Sequence, residues 1–160
     1  MIDLRKQFVD TLIELAEQDG AICMITCDVG FSFLERFKEK FPDRYFNFGT
    51  TEFSSMIIAS GLALQGMKPY IYSMTNFVTI RPLEMVRNAI CLHRANVKIL
   101  GVRGSEKYKF LGFSHNMIFE DEDVYHLKPY MECYLPKTED EVRDIIKKTY
   151  SSPNSCYIRL

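Results

Sequence analysis

One carboxylate stands out by its surroundings. Glu52 opens the stretch Glu52-Phe53-Ser54-Ser55-Met56-Ile57-Ile58-Ala59-Ser60-Gly61-Leu62-Ala63-Leu64, and no acid or base follows it until Lys68. An acid at a helix N-terminus is favoured by the helix dipole alone. Here, however, Met56, Ile57, Ile58, Ala59, Leu62, Ala63 and Leu64 cannot share one stripe, so the helix is expected to be buried on most faces. A carboxylate at the mouth of such a helix loses water and its proton affinity is expected to rise. Carboxyl groups perturbed in this way concentrate at functional sites. The sequence offers Glu52 no neighbouring cation, which makes it the first candidate for acid–base chemistry.

The elements that must position Glu52 alternate between strand and helix. Leu4, Phe8, Leu12 and Leu15 mark a helical face over residues 3–18, stopped by Gly20. Strands are expected at Ala21–Thr26, Tyr45–Asn47, Pro69–Ser73, Val97–Val102, Met131–Tyr134 and Cys156–Arg159. Helices are expected around Phe33–Phe37, from Glu52, from about Pro82 to Arg94, and from Thr138 to Tyr150, where Thr138-Glu139-Asp140-Glu141 reads as a capping box. Residues 103–119 form a long irregular loop holding Gly104, Gly112 and His115, and loops of that length in compact domains are often functional. The alternation predicts an α/β fold in three layers, a mainly parallel six-stranded sheet with helices on both faces. Sites in such folds lie beyond the carboxyl ends of the strands. Asp28, Glu52, Phe77, Arg103 and Arg159 all end or follow strands, so one edge of the sheet is expected to gather them.

Composition narrows the class. With 160 residues the chain has the length of one domain. A net charge of −1 gives no drive toward nucleic acid or an anionic membrane. No apolar run approaches the length of a bilayer span. The five cysteines lack metal-ligand spacing, and Cys23 and Cys27 sit in an apolar run where reduced thiols are expected. A cytoplasmic protein with no metal site of its own is the resulting expectation.

In their order and spacing, several short pieces resemble the pyrimidine-binding domain of transketolase-like thiamine diphosphate enzymes. They are Thr26-Cys27-Asp28-Val29, Pro42-Asp43-Arg44-Tyr45-Phe46-Asn47-Phe48-Gly49, Glu52, Ala59-Ser60-Gly61-Leu62-Ala63, Ile80-Arg81-Pro82-Leu83-Glu84-Met85-Val86-Arg87-Asn88, Gly112-Phe113-Ser114-His115 and Tyr157-Ile158-Arg159. The resemblance runs from about Arg5 to Leu160 and treats residues 1–160 as a single pyrimidine-binding domain with the thiamine diphosphate-binding fold. It implies that Glu52 hydrogen-bonds the cofactor's aminopyrimidine and promotes the tautomer that activates the thiazolium carbon. Phe77 would stack on the pyrimidine, the alternative being a core phenylalanine. Asp28 would either line the cofactor interface or cap Val29-Gly30. His115 would face substrate and polarise its carbonyl or relay protons. Ser32, Arg103 and Arg159 would hold a sugar phosphate through charge-assisted hydrogen bonds.

Departures bear on the substrate. Thr50-Thr51 stands where an aliphatic residue braces the bent cofactor, and Leu111 where an aspartate reads sugar hydroxyls. The family's diphosphate and magnesium are held by a separate domain carrying Gly-Asp-Gly and a later Asn. Asp19-Gly20 with Asn47 imitates that spacing but falls between a helix and a strand, and Gln18 replaces the first glycine. The family's third, C-terminal domain is not expected either. The implied protein is one subunit of a split transketolase-like ketol transferase, active only with an N-terminal subunit that brings the diphosphate and magnesium. The expected assembly is a heterotetramer acting on phosphorylated sugars, with some self-association of the isolated chain. The alternatives are half of a 2-oxoacid decarboxylase or dehydrogenase, which needs no phosphate set, and a non-catalytic regulatory homologue.

Overall fold

The computed structural model describes residues 3–102, 109–117, 119 and 121–160. α1 (Leu4–Gln18) leads into β1 (Ile22–Thr26), α2 (Glu35–Lys40), β2 (Tyr45–Asn47), α3 (Glu52–Leu64) and β3 (Lys68–Met74). α4 (Thr75–Thr79), α5 (Leu83–Met85), β4 (Lys98–Val102), α6 (Glu122–Leu127), β5 (Glu132–Tyr134), α7 (Glu139–Tyr150) and β6 (Cys156–Arg159) complete the described elements. All six strands pair in parallel, in the order β2-β1-β3-β4-β6-β5. Parallel strands joined by helical crossovers are buried on both faces, and β1 and β4 are buried along their whole length.

Alternation along the strands feeds two apolar layers. Met24, Tyr70, Tyr72 and Leu100 pack with Phe8 and Leu12 of α1 and Val142 and Ile146 of α7. Ile25, Ile71 and Ile99 turn the other way, toward Met56 and Ala59 of α3, Val86, Ile90 and Leu127. Half of the expected capping box forms: the Thr138 hydroxyl accepts from the Glu141 backbone N–H at 3.2 Å, while the Glu141 carboxylate accepts from the Lys137 N–H at 2.6 Å.

Three features differ from the sequence expectation. The helix expected over residues 82–94 is a single α-turn, α5, that widens into a π-helical stretch at Val86–Cys91. Two short helices, α4 and α6, occupy stretches outside the expected strands and helices. Most informative is α3, whose burial is one-sided. Glu52, Ser55, Met56, Ala59 and Ser60 face the sheet, and Ser60 donates a 2.6 Å hydrogen bond to the Ala89 carbonyl. Phe53, Ile57, Ile58 and Leu64 are exposed, Ile57 by 46 % and Leu64 by 54 %. A Cβ on Gly61 would meet nothing within 4 Å. A helix apolar all round is buried somewhere, and among the described residues a cover exists for only one side of it.

Candidate active site

The sheet order reverses direction between β1 and β3: the chain leaves β1 outward to β2 and leaves β3 the other way to β4. Ligands of open parallel sheets bind at such a switch point, beyond the carboxyl ends of the strands. A cavity of about 310 Å³ lies there, among the residues that follow β1, the end of β3, the start of α3 and the 109–115 segment. Asp28, Glu52 and Phe77, three of the five residues expected to gather at this edge, line it together with His115.

The loop after β1 is shaped by its own backbone chemistry. Asn47, at the end of β2, accepts hydrogen bonds from the backbone N–H groups of Asp28 and Gly49, both at 3.0 Å. The Thr26 hydroxyl donates to the Val29 carbonyl at 2.7 Å. Asp28 adopts a left-handed conformation with φ 55°, is exposed and lines the cavity. Gly30 has φ +91°, and a Cβ there would lie 2.3 Å from Leu34 Cδ1, so only glycine lets the chain turn under the cavity.

Glu52 is 3 % exposed. Its Oε1 is buried and has no hydrogen-bond partner among the described residues. A buried carboxylate oxygen left unpaired costs free energy, and it becomes reasonable where a ligand is to complete it. The sequence suggested no partner for this carboxylate, and the structure corrects that: Arg81 Nη1 lies 3.4 Å from Oε2. Phe77, on α4, is buried but keeps part of its ring on the cavity. Arg81 stacks over that ring, with its guanidinium carbon 3.6 Å from the centroid. His115 meets the same ring edge-on, at 5.0 Å between centroids, and its Nδ1 lies 2.8 Å from the Ser114 hydroxyl. Asn76 donates to the Ser114 carbonyl and so ties the His115 turn to α4. Cys27 also lines the cavity; burial pushes its thiol up to about 11, so it is protonated and donates weakly toward Ser55.

The expected phosphate set is placed differently. Arg103 lies outside the described residues. Ser32, in a left-handed conformation, gives its backbone N–H to Glu35 at 3.0 Å and is not part of the cavity lining. Arg159 ends β6 as read, but it departs from the expected anion seat. Its guanidinium reaches Asp121 at 2.6 Å and Asp123 at 3.0 Å, so two carboxylates already offset its charge. Asp123 in turn accepts from the buried Tyr157 hydroxyl at 2.5 Å. Residue spacing alone missed Arg81, Asn47 and the Asp123 network. Arg81 lies one helical turn beyond Phe77, a spacing that places side chains together and that carries meaning only once α4 is known. His93 and His126 lie outside the cavity lining: His93 Nδ1 is 2.9 Å from the Asn88 carbonyl, and His126 packs on Tyr125.

No cluster of three or more metal-ligating side chains occurs among the described residues. No described helix is long and apolar enough to cross a membrane.

Comparison with known proteins gives the same reading of fold and family. The profile described as transketolase, pyrimidine binding domain matches residues 1–160. One of the subunits of the apulose-4-phosphate transketolase of Phocaeicola vulgatus is 35 % identical over 100 % of this chain and 51 % of its own length. The 6-deoxy-6-sulfo-D-fructose transketolase subunit SqwH of a Clostridium species is 29 % identical over 98 % of this chain and 49 % of its own. The chain thus spans about half the length of these curated relatives. A solved split-gene transketolase, described as an inactive beta4 tetramer, superposes with a TM-score of 0.85 at 30 % identity, over 99 % of this chain and 51 % of that one. A transketolase from Pichia stipitis shares the fold at a TM-score of 0.78 and 20 % identity. With the profile running the full length, this chain belongs to the transketolase pyrimidine-binding domain family.

Proposed function

We propose that this chain is the pyrimidine-binding half of a split transketolase-like transferase that moves a two-carbon ketol unit between phosphorylated sugars. The observation that carries the proposal is Glu52 itself, buried at the cavity with one carboxylate oxygen unpartnered. The cofactor of the family, thiamine diphosphate, fits that donor set: Glu52 for a ring nitrogen, Phe77 for a ring face and Asp28 at the cavity wall. When bound, it supplies the carbon nucleophile that the amino acids lack. Its diphosphate and magnesium would be held by a partner subunit.

The chain's own residues then divide the work. Glu52 Oε1 holds a proton or hydrogen bond at the ring nitrogen, in a place where water is excluded. Phe77 orients the ring by its face. Val29, Met74 and Val102 keep the cavity wall dry, which strengthens each polar contact made inside it. His115, held by Ser114 and Phe77, presents an imidazole to the substrate side. The exposed flank of α3 gives a partner subunit its apolar contact. Two relatives named as subunits support the split arrangement, and both names carry a sugar with an anionic end, a phosphate or a sulfo group.

A second reading, half of an enzyme acting on a 2-oxoacid, is favoured by Leu111 on the cavity and by the engagement of Arg159 with carboxylates. Reconstitution with the partner subunit separates the two. Ketose phosphate as the productive donor supports the first reading, and a 2-oxoacid as the only productive donor replaces it with the second. In either case Glu52→Gln is expected to lower turnover on the order of a hundredfold or more while assembly persists. Unchanged turnover in that variant sinks the catalytic assignment.

A further inference from the structure

The Phe77 ring assigned above to a pyrimidine already carries a planar group on one face. Arg81 follows α4 and lays its guanidinium 3.6 Å over the Phe77 ring centroid. The same guanidinium points Nη1 at Glu52 Oε2, 3.4 Å away. A guanidinium is flat, cationic and rich in N–H donors, so it stacks on an aromatic face and donates to a carboxylate at once. An aminopyrimidine held by Phe77 and Glu52 would use the same ring and the same carboxylate, through its other oxygen. A ring face covered at 3.6 Å has no room for a second flat group on that side.

The contact is built to be reversible. At 3.4 Å the hydrogen bond is long. The Arg81 side chain is 49 % exposed, so its charge can return to water without crossing the core. Glu52 meanwhile keeps Oε1 free of any partner among the described residues, so the arginine satisfies the carboxylate only in part. Thr75 anchors α4 to the end of β4 through a 2.8 Å hydrogen bond to the Val102 carbonyl, and Thr79 closes the helix on the Thr75 carbonyl at 2.8 Å, so Phe77 stays in place when the arginine leaves.

We propose that Arg81 is a placeholder for the pyrimidine ring: in the cofactor-free chain it covers Phe77 and offsets the Glu52 charge, and ring binding displaces it. The inference rests on the reading of Glu52 and Phe77 as the pyrimidine site. It adds a competition, in which the ring binds only the fraction of molecules whose arginine has swung out, so apparent affinity falls by that fraction. Arg81 is therefore a residue that tunes cofactor affinity without being required for the chemistry.

The test is a binding titration on the purified full chain, followed by NMR, with the free hydroxymethyl aminopyrimidine half of thiamine as probe. Wild type is compared with Arg81→Ala, Arg81→Lys and Glu52→Gln. Arg81→Ala is expected to bind the probe about five- to tenfold more tightly than wild type. Arg81→Lys, which keeps the charge and loses the flat fork, should fall between them. Glu52→Gln should weaken binding whatever stands at position 81. Equal or weaker binding in Arg81→Ala, with Glu52→Gln still harmful, overturns the placeholder and leaves the pyrimidine site standing. Probe binding that ignores Glu52, or that is absent from every variant, overturns both.

Discussion

Two buried carboxylates sit at the same edge of the sheet and have opposite environments. Glu52, beside the ends of β1 and β3, has one oxygen near a half-exposed arginine and the other without a partner among the described residues. Asp123, beside the end of β6, has both oxygens engaged, by Tyr157 at 2.5 Å and by Arg159 at 3.0 Å. Burial alone therefore does not separate the two carboxylates; the state of the second oxygen does. The Asp123 side of the edge is closed by close packing as well. A Cβ on Gly101 would lie 2.5 Å from the Tyr157 hydroxyl, so β4 must be bare there for Tyr157 to reach Asp123. The Glu52 side is open, and the cavity is on that side.

The contrast breaks if the two carboxylates respond alike to removal. Asp123→Ala is expected to give the largest effect on the molecule, because it leaves the buried Tyr157 hydroxyl without its acceptor and the Arg159 guanidinium with Asp121 alone. Removing one member of a buried ion pair costs about 3–5 kcal/mol, and denaturant unfolding measures it. Glu52→Gln should leave stability within about 1 kcal/mol of wild type, since it removes only one long ion-pair contact. A destabilisation by Glu52→Gln equal to that of Asp123→Ala would make Glu52 a structural residue.

Tyr157→Phe sharpens the comparison. Burial holds the Tyr157 hydroxyl protonated well above its ordinary range, so it is a fixed donor to Asp123. Deleting it should cost about 1–3 kcal/mol by leaving a buried carboxylate oxygen unpaired, the condition Glu52 tolerates. Arg159→Ala should fall in the same class. In the reconstituted complex it is expected to impair phosphorylated and non-phosphorylated donors equally, because Asp121 and Asp123 hold the guanidinium. A rise in KM confined to the phosphorylated donor would return Arg159 to the phosphate.

How far this contrast was legible in the sequence follows from the range of the interactions involved. β2 and β6 match the expected spans residue for residue, because alternation and flanking turns are local signals. Glu52 was legible because a lone acid heading an apolar helix is a local anomaly. The one-sided burial of α3 was not, since an apolar flank reads identically whether the same chain or another one covers it. Asp123 and its partners are brought together by tertiary packing, and no spacing along the chain signals them. α4, five residues between a strand and a proline-containing turn, is too short for periodicity to show, and with it went the proximity of Arg81 to Phe77.

A third carboxylate, at the other end of the sheet, calibrates the two. Asp19 pairs with Lys68 at 2.7 Å and receives the Tyr150 hydroxyl at 3.0 Å. The hydrogen bond from Lys68 holds the Asp19 carboxyl below its ordinary value of 3.8, and the same bond raises Lys68 above its ordinary 10.5. A lowered carboxyl contributes stability that is fully present above its unfolded pKa and is lost as pH falls through the folded one. A raised lysine contributes stability that is present below its unfolded pKa and is lost as pH rises through the folded one. The pair therefore supports the fold across the whole range between those limits and gives way on each side. Because both groups keep contact with water, the effect is the smallest of the series, at most about 1 kcal/mol. Lys68→Met should lower stability by that amount at neutral pH and flatten the acid limb below about pH 4. Unfolding free energies measured from about pH 2.5 to 7 in wild type and variant give the comparison. An acid limb of unchanged slope would show that Asp19 draws its stabilisation from Ala21 and Tyr150 instead, the other donors it faces.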